Sequence, residues 1–149
     1  MTAIIFIGIP AAGKSTFYKQ RFFDTHIRIN LDMLKTRHRE KLLVEACIAS
    51  RQPFVVDNTN AGRAERARFI TAARSAGFRV IGYYFSSRIQ EALERNRQRQ
   101  GKARIADKGV LGTAGRMKIP SLVEGFDELW YVHMDGTGGF SVERWKDDI

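Results

Sequence analysis

The 149 residues, of which 44% are hydrophobic, are enough for one domain with a buried core. No stretch approaches the ~20 apolar residues of a membrane-spanning helix, and the single cysteine, Cys47, excludes a disulfide framework and a cysteine-based zinc site. The net charge of +9 suits a polyanionic partner such as nucleic acid, although a solvated basic surface gives the same balance. We therefore expect a single cytoplasmic domain over residues 1–149, with no membrane partner.

Apolar runs alternate with helix-compatible segments along the chain. The runs predict strands over residues 3–7, 26–30, 54–57, 78–85 and 127–134, with a hairpin arm over 140–145. The segments between them predict helices over residues 16–23, 32–50, 63–76 and 88–99, and a short helix near 107–117. This order predicts a three-layer α/β fold, in which helices cover a mostly parallel five-stranded sheet followed by a C-terminal hairpin.

Helical spacing places several side chains on one face in each of two predicted helices. In the 32–50 helix the predicted face consists of Leu34, His38, Leu42 and Ala46. In the 63–76 helix it consists of Ala67, Ile70 and Ala73, and Gly77 is predicted to end that helix as its C-terminal cap. The expected core residues are Phe22, Phe23 and Cys47.

Residues 8–15, Gly-Ile-Pro-Ala-Ala-Gly-Lys-Ser, match the phosphate-binding P-loop pattern G-x-x-x-x-G-K-[ST]. A predicted strand precedes the loop and a predicted helix follows it, which argues against a chance Gly-Lys-Ser turn. The glycines let backbone N–H groups point inward, and the helix N-terminus adds partial positive charge. Lys14 would reach the outer phosphates, and the Ser15 hydroxyl would hold Mg²⁺. The predicted nucleotide-binding residues here are Gly8, Pro10, Ala11, Ala12, Gly13, Lys14, Ser15 and Thr16.

Polar side chains follow the next two strands, at the sheet edge where parallel sheets bind ligands. Asp32 is predicted to act as the general base of a kinase, although an Asp just after a strand also suits a helix N-cap. Asp57, at the end of the third strand, is predicted to organise Mg²⁺, with a turn-forming role as the alternative. Asn58 and Thr59 either bind substrate or cap the following helix, and a structural role is favoured for Asn60.

Basic residues concentrate between residues 88 and 118, which we interpret as a lid over the phosphates. Arg95 and Arg99 lie four positions apart and share a helix face, where an anion between them would relieve their repulsion. We predict that Arg99 contacts the phosphates. The basic side chains in the middle of this region are Arg95, Arg97, Arg99, Lys102 and Arg104, and of these Arg97 and Lys102 are more simply solvated.

Lys35 and Arg37 follow Asp32 by about one helical turn. Either side chain would be able to neutralise an acceptor phosphate near the base, and both are equally consistent with an exposed helix face. The spacing favours Lys35, which is three residues from Asp32.

With these motifs the chain resembles the kinase module of the polynucleotide 5′-kinase family, a branch of small P-loop kinases grouped with AAA-type ATPases. The resemblance covers roughly residues 1–105 and rests on four short segments in the family's order and at similar spacing. The segments are GIPAAGKST at 8–16, INLD at 29–32, VDNTN at 56–60 and RNRQR at 95–99.

The resemblance implies a kinase that uses ATP or GTP with Mg²⁺ and phosphorylates the 5′-hydroxyl of a nucleic acid end. It implies that Lys14 and Ser15 bind the triphosphate and the metal, that Asp32 is the base, and that Arg99 is the lid arginine on the donor phosphates. Asp57 matches the acidic residue after the third strand. Lys35 stands where the family often has an arginine on the acceptor phosphate, and lysine is a poorer bidentate partner.

Two other classes of protein are consistent with the same residues. One is a P-loop kinase of a small hydroxylated metabolite or nucleoside, which would share Lys14, Ser15 and Asp32 but have a closed acceptor pocket. The other is a nucleotide-binding ATPase module that phosphorylates no acceptor.

Overall fold

Strands and helices alternate in the computed structural model, which describes residues 1–86, 89–101 and 105–146. The described strands are β1 (Thr2–Gly8), β2 (Ile27–Ile29), β3 (Phe54–Val56), β4 (Arg79–Phe85), β5 (Glu128–Met134) and β6 (Phe140–Arg144). The described helices are α1 (Lys14–Arg21), α2 (Leu31–Leu34), α3 (Arg37–Ala49), α4 (Arg63–Ser75), α5 (Ile89–Gln98) and α6 (Asp107–Arg116), with a 3₁₀ turn over Leu122–Glu124. Over these described ranges, every helix is too short or too polar to cross a membrane.

The described strands form one six-stranded sheet in the order β2-β3-β1-β4-β5-β6. Strands β1 to β5 pair in parallel, and β6 runs antiparallel to β5. Parallel neighbours need a crossover connection, which the intervening helices provide. The predicted parallel sheet of five strands and its C-terminal hairpin are therefore confirmed, with element boundaries that shift by one or two residues.

Strand β1 lies at the centre of the sheet because its residues are apolar on both faces. Ile5 and Ile7 pack with the buried residues of α3 and α4, whereas Ile4 and Phe6 pack with those of α1, α5 and α6. A strand buried on both faces has a continuous apolar sequence, which is what residues 3–7 show. The helices on both faces give the three layers that the element order predicts.

The helix predicted over residues 32–50 is in fact two helices, α2 and α3. Between them, Lys35 has a positive φ of 76°, so the backbone leaves the helical path there. The hydroxyl oxygen of Thr36 then accepts a hydrogen bond from the backbone N–H of Arg39 and caps α3.

This break changes which side of α3 faces the core. The buried residues of α3 are Glu40, Val44 and Cys47. Of the four residues placed on one face of a single helix, Leu34 packs against the core, whereas His38, Leu42 and Ala46 lie on α3 and are exposed.

Of the three residues at helical spacing in α4, Ile70 and Ala73 are buried, whereas Ala67 is exposed and the neighbouring Arg66 is buried. Apolar spacing misses this position because the side chain is a paired arginine. Gly77 follows α4 with a φ of 81°, which confirms its predicted capping role. The core prediction for Phe23 was wrong, since this residue is 68% exposed in the turn after α1.

Candidate functional site

The loop between β1 and α1 folds around the start of α1. Gly13 is the N-cap of α1, with a φ of 96°, and α1 has no side-chain cap there. A Cβ atom at Gly13 would lie 2.5 Å from the Cε atom of Met134 and 2.9 Å from the ring of Phe140. Glycine therefore satisfies both the backbone angle and the lack of space. The uncapped N–H groups at the start of α1 are the kind of donors that bind anions.

The other predicted loop residues differ in exposure. A Cβ atom at Gly8 would lie 2.9 Å from the Cβ atom of Phe85, so the loop also begins at a close approach. Ala11 and Ala12 are buried, Pro10 is half-buried, and Thr16 is exposed on the first turn of α1.

Lys14 lies against its own loop. Its Nζ atom donates hydrogen bonds to the carbonyl oxygens of Gly8, at 2.9 Å, and Ile9, at 2.8 Å. Burial lowers the pKa of Lys14 from 10.5 to about 8; the carboxylates of Asp57 and Asp32 oppose this shift, and the positive charge of Arg99 adds to it. The structure thus brings four predicted site residues, from four parts of the chain, into electrostatic range of one another.

Replacing Lys14 with methionine is expected to stabilise the nucleotide-free protein by up to about 3 kcal/mol at pH 7. The folded protein releases this proton near pH 8 and the unfolded chain near pH 10.5, so the unfolded chain binds more protons between these values. Wild-type stability therefore rises with pH across that interval, and the advantage of the variant shrinks. Urea unfolding in EDTA from pH 7 to pH 10 measures the free energy of unfolding of both proteins. Lys19→Met, at an exposed position, is the control; parallel pH profiles for Lys14→Met and wild type would contradict the expectation.

Ser15, in the first turn of α1, contacts Asp57, which follows β3. The Ser15 hydroxyl donates to Oδ2 of Asp57 at 3.1 Å. Arg28 in β2 contacts both groups, since its Nε atom donates to Oδ2 of Asp57 at 2.8 Å and its Nη2 atom donates to Oγ of Ser15 at 2.9 Å. A hydroxyl and a carboxylate are the hard oxygen donors that Mg²⁺ takes from proteins alongside substrate phosphates. The positively charged Arg28 already bridges the oxygens of Ser15 and Asp57, which shows that these two oxygens are suited to a cation.

Sequence reasoning did not find Arg28. The sequence did offer a signal, since Arg28 is a charged residue between Ile27 and Ile29. Strand alternation turns such a residue to the face opposite the one that buries Ile29. Its role depends on β2 pairing with β3, which brings it beside Asp57.

Asp32 lies exposed on the first turn of α2. The N-cap of α2 is Asn30, whose Oδ1 atom accepts a hydrogen bond from the Met33 N–H. The Nδ2 atom of Asn30 donates to the Asp57 carbonyl, which ties α2 to the end of β3. The capping role that the sequence left open for Asp32 therefore belongs to Asn30, and the Asp32 carboxylate is left at the rim.

Asn58 and Arg37 take part in contacts that hold the fold together. Asn58 accepts a hydrogen bond from the Leu31 N–H through Oδ1 and donates through Nδ2 to the buried carboxylate of Glu40. Arg37 pairs with Glu40 at 2.9 Å and with Glu65 at 3.7 Å. Lys35 is exposed between α2 and α3.

Thr59 and Asn60 fix the loop after β3 against the end of β1. The Thr59 carbonyl accepts a hydrogen bond from the Gly8 N–H at 3.0 Å. Asn60 is fully buried, and its Nδ2 atom donates to the Phe6 carbonyl at 2.7 Å. This contact is consistent with the structural role favoured for Asn60.

Helix α5 brings its basic face to the P-loop. The Nε atom of Arg95 donates to the Ala11 carbonyl at 2.7 Å, and burial lowers the pKa of Arg95, with a further contribution from Arg99. The positive charge of Arg99 also lowers the pKa of Lys14, so both arginines lie close to the P-loop. Asn96, which sequence reasoning did not single out, is buried and binds both the N–H and the carbonyl of Ile105.

Arg97, on the same helix, makes different contacts. Arg97 is exposed and pairs with Glu94 and Asp107, as expected for a solvated position. The expectations for Lys102 and Arg104 lie outside the described residues.

Comparisons with solved structures show the fold. The chain is similar to Kti12 of Chaetomium thermophilum, crystallised with ADP-AlF3, at 17% identity over 89% of each chain, with a TM-score of 0.63. It is similar to a gluconokinase of Sinorhizobium meliloti 1021 at 16% identity over 92% of this chain and 85% of that one, with a TM-score of 0.63. A chain of the PezAT toxin-antitoxin system of Streptococcus pneumoniae matches at 11% identity over 90% and 68%, with a TM-score of 0.65.

These similarities confirm a P-loop NTPase fold with a mostly parallel sheet and an antiparallel C-terminal hairpin. In addition, a family model described as an AAA domain matches residues 4–118, which span β1 to the end of α6. This match covers most of the chain, and the protein therefore belongs to the AAA domain family.

Proposed function

We propose that the protein is a Mg²⁺-dependent kinase that transfers the γ-phosphoryl group of ATP or GTP to the 5′-hydroxyl of a nucleic acid end. The observation that carries the proposal is the arrangement of polar groups at the P-loop, where Ser15 donates to Asp57, Arg95 donates to the Ala11 carbonyl, and Asp32 lies exposed on the first turn of α2. A phosphate-binding loop, a basic helix and an exposed carboxylate on one rim are the parts that phosphoryl transfer to an alcohol requires.

On the donor side, the backbone N–H groups of the loop and of the start of α1 would hold the phosphates. Lys14 would move from the carbonyls of Gly8 and Ile9 to the outer phosphates, and Arg95 and Arg99 would neutralise charge from the side of α5. Ser15 and Asp57 would hold Mg²⁺. Bound there, the metal would supply positive charge that offsets the charge of the phosphates.

On the acceptor side, the Asp32 carboxylate would orient the hydroxyl group and accept its proton. The hydroxyl oxygen forms a bond to the γ-phosphorus while the bond from that phosphorus to the bridging oxygen breaks, and the nucleoside diphosphate leaves. The residues proposed to meet the acceptor are Lys35, Arg37, Asn58 and Thr59. The net charge of +9 supports a polyanionic acceptor, and we propose that the protein acts in the cytoplasm.

Transfer of labelled γ-phosphate to a 5′-hydroxyl oligonucleotide tests this proposal. We expect labelling that requires Mg²⁺ and falls steeply as salt rises from 50 to 200 mM, because lysine and arginine contacts to phosphates release counterions. A mononucleoside acceptor, which offers no backbone phosphates, is the matched control and should show little salt dependence. Nucleotide binding without labelling of the oligonucleotide would contradict the acceptor assignment.

A second candidate is a kinase of a small hydroxylated metabolite or nucleoside. It is favoured by the pairing of Arg37 with Glu40 and Glu65 and by the use of Asn58 in the fold, since both leave fewer groups for a polyanion. One of the similar structures is a gluconokinase, although at 16% identity. Labelling of a nucleoside or sugar, but not of the oligonucleotide, would establish this candidate. Nucleotide hydrolysis with no labelled acceptor would indicate an ATPase module.

A further inference from the structure

Arg28 binds both residues to which the metal role is assigned. Its guanidinium group donates to the Asp57 carboxylate and to the Ser15 hydroxyl, and the hydroxyl donates to the same carboxylate oxygen. The three side chains form a closed triangle with sides of 2.8, 2.9 and 3.1 Å. The oxygens that fit a metal are thus already bound to a cation that the chain itself supplies.

The fold explains why Arg28 reaches this place. It is the middle residue of β2, the edge strand next to β3, and it pairs in register with Val55. Strand alternation turns it away from the face that buries Ile29. Asp57 is 1% exposed and needs an opposite charge, which the 29% exposed Arg28 provides.

The charges around this triangle disfavour a divalent cation on its own. Lys14 and Arg28 bring two positive charges close to the single carboxylate of Asp57. A metal bound to Ser15 would lie close to the guanidinium group of Arg28, whose Nη2 atom is 2.9 Å from Oγ of Ser15, and repulsion between like charges is strong at such a separation. The phosphates of a nucleotide bring the negative charge that reverses this balance.

We propose that Arg28 competes internally with the divalent cation, occupying its place between Ser15 and Asp57 in the nucleotide-free protein and leaving Ser15 when the metal-nucleotide complex binds. This inference rests on the proposed nucleotide site. It makes cation binding conditional on nucleotide binding. Arg28 is in this sense a positioning residue, because it acts through Ser15 and Asp57 and not on the reacting atoms.

Mn²⁺ binding to the nucleotide-free chain, followed by electron paramagnetic resonance of the free ion, tests the proposal. We expect Arg28→Gln, which keeps an amide donor but loses the charge, to bind Mn²⁺ at least about tenfold more tightly than wild type. With a non-hydrolysable ATP analogue present, the two proteins should differ by much less. Arg79→Gln removes the same charge at the start of β4, at the end of the sheet away from the P-loop, and should match wild type.

Equal or weaker nucleotide-free Mn²⁺ affinity in Arg28→Gln would overturn the proposal. So would a gain that persists when Asp57→Asn is added, because the gain must come from this carboxylate. Arg28→Lys keeps the charge and should stay near wild type.

A second measurement does not depend on whether Arg28→Gln folds. In ¹⁵N-labelled wild type, the Arg28 Nε–H resonance, assigned by its loss in Arg28→Lys, should shift when Mg²⁺ and the ATP analogue are added together but not with Mg²⁺ alone. An unchanged resonance in the metal-nucleotide complex would exclude displacement. Failure of wild type to bind the analogue would count against the proposed function, whereas the nucleotide-free Mn²⁺ comparison tests Arg28 by itself.

Discussion

Replacing Asp32 with asparagine is expected to lower kcat for phosphoryl transfer by about 10²–10⁴-fold. Asparagine keeps the size of the side chain but cannot accept the proton of the acceptor hydroxyl. Asn30, and not Asp32, caps α2, so the start of the helix should stay intact. Transfer of labelled phosphate measures kcat, and calorimetric titration measures nucleotide affinity, which should change by less than about threefold if the lost interaction forms only in the transition state.

Asp24→Asn is the matched control for this substitution. Asp24 is an exposed aspartate in the turn after α1, and its replacement should leave turnover unchanged. Near-wild-type turnover of Asp32→Asn would refute the base assignment. A parallel loss of nucleotide affinity would instead mean that Asp32 acts through Lys14, because its carboxylate opposes the lowering of the Lys14 pKa by burial.

Replacing Arg66 with methionine is expected to lower the free energy of unfolding by about 3–5 kcal/mol. Arg66 is fully buried, and its guanidinium group binds the carboxylate of Glu124 at 2.8 and 3.2 Å. It also donates to the carbonyls of Asn60 and Ala61, just before α4. Methionine fills much of the space but leaves the Glu124 carboxylate without its cation. Urea unfolding followed by circular dichroism measures the loss.

Two further variants separate the ion pair from the general effect of losing an arginine. Arg79→Met breaks an exposed pair with Glu128 and should cost no more than about 1 kcal/mol. In the double variant Arg66→Met/Glu124→Leu both charges are gone, so its loss should be smaller than the sum of the single losses. A cost for Arg66→Met as small as that for Arg79→Met would show that the buried pair does not stabilise the fold.

Local patterns in the sequence predicted the parts of the molecule whose residues lie close together along the chain. The apolar run of β1, the loop up to Ser15 and the polar ends of β2 and β3 are each recognisable within a few residues. Parallel pairing then brings those ends to one rim, which is why the surroundings of Lys14 include both Asp32 and Asp57.

The unpredicted features depend on contacts between distant residues or on the backbone. Arg28 is 29 positions from Asp57, and Arg66 is 58 positions from Glu124, so their partners follow only from the completed fold. The break in the 32–50 helix depends on a positive φ at Lys35, a residue with no special tendency to adopt it. Thr36 was a usable signal, since threonine is a favoured N-cap.

The close contact of Gly13 with Met134 and Phe140 has a consequence for synthesis on the ribosome. Gln20, near the end of α1, also donates a hydrogen bond to the carbonyl of Gly138, which lies 118 positions later in the chain. At ~5–20 residues per second, the ribosome needs roughly 6–24 s to add that stretch. During this interval the emerging P-loop lacks Met134 of β5 and Phe140 of β6, which pack against it, and a nascent chain truncated before Met134 would hold the complete nucleotide motif without that packing.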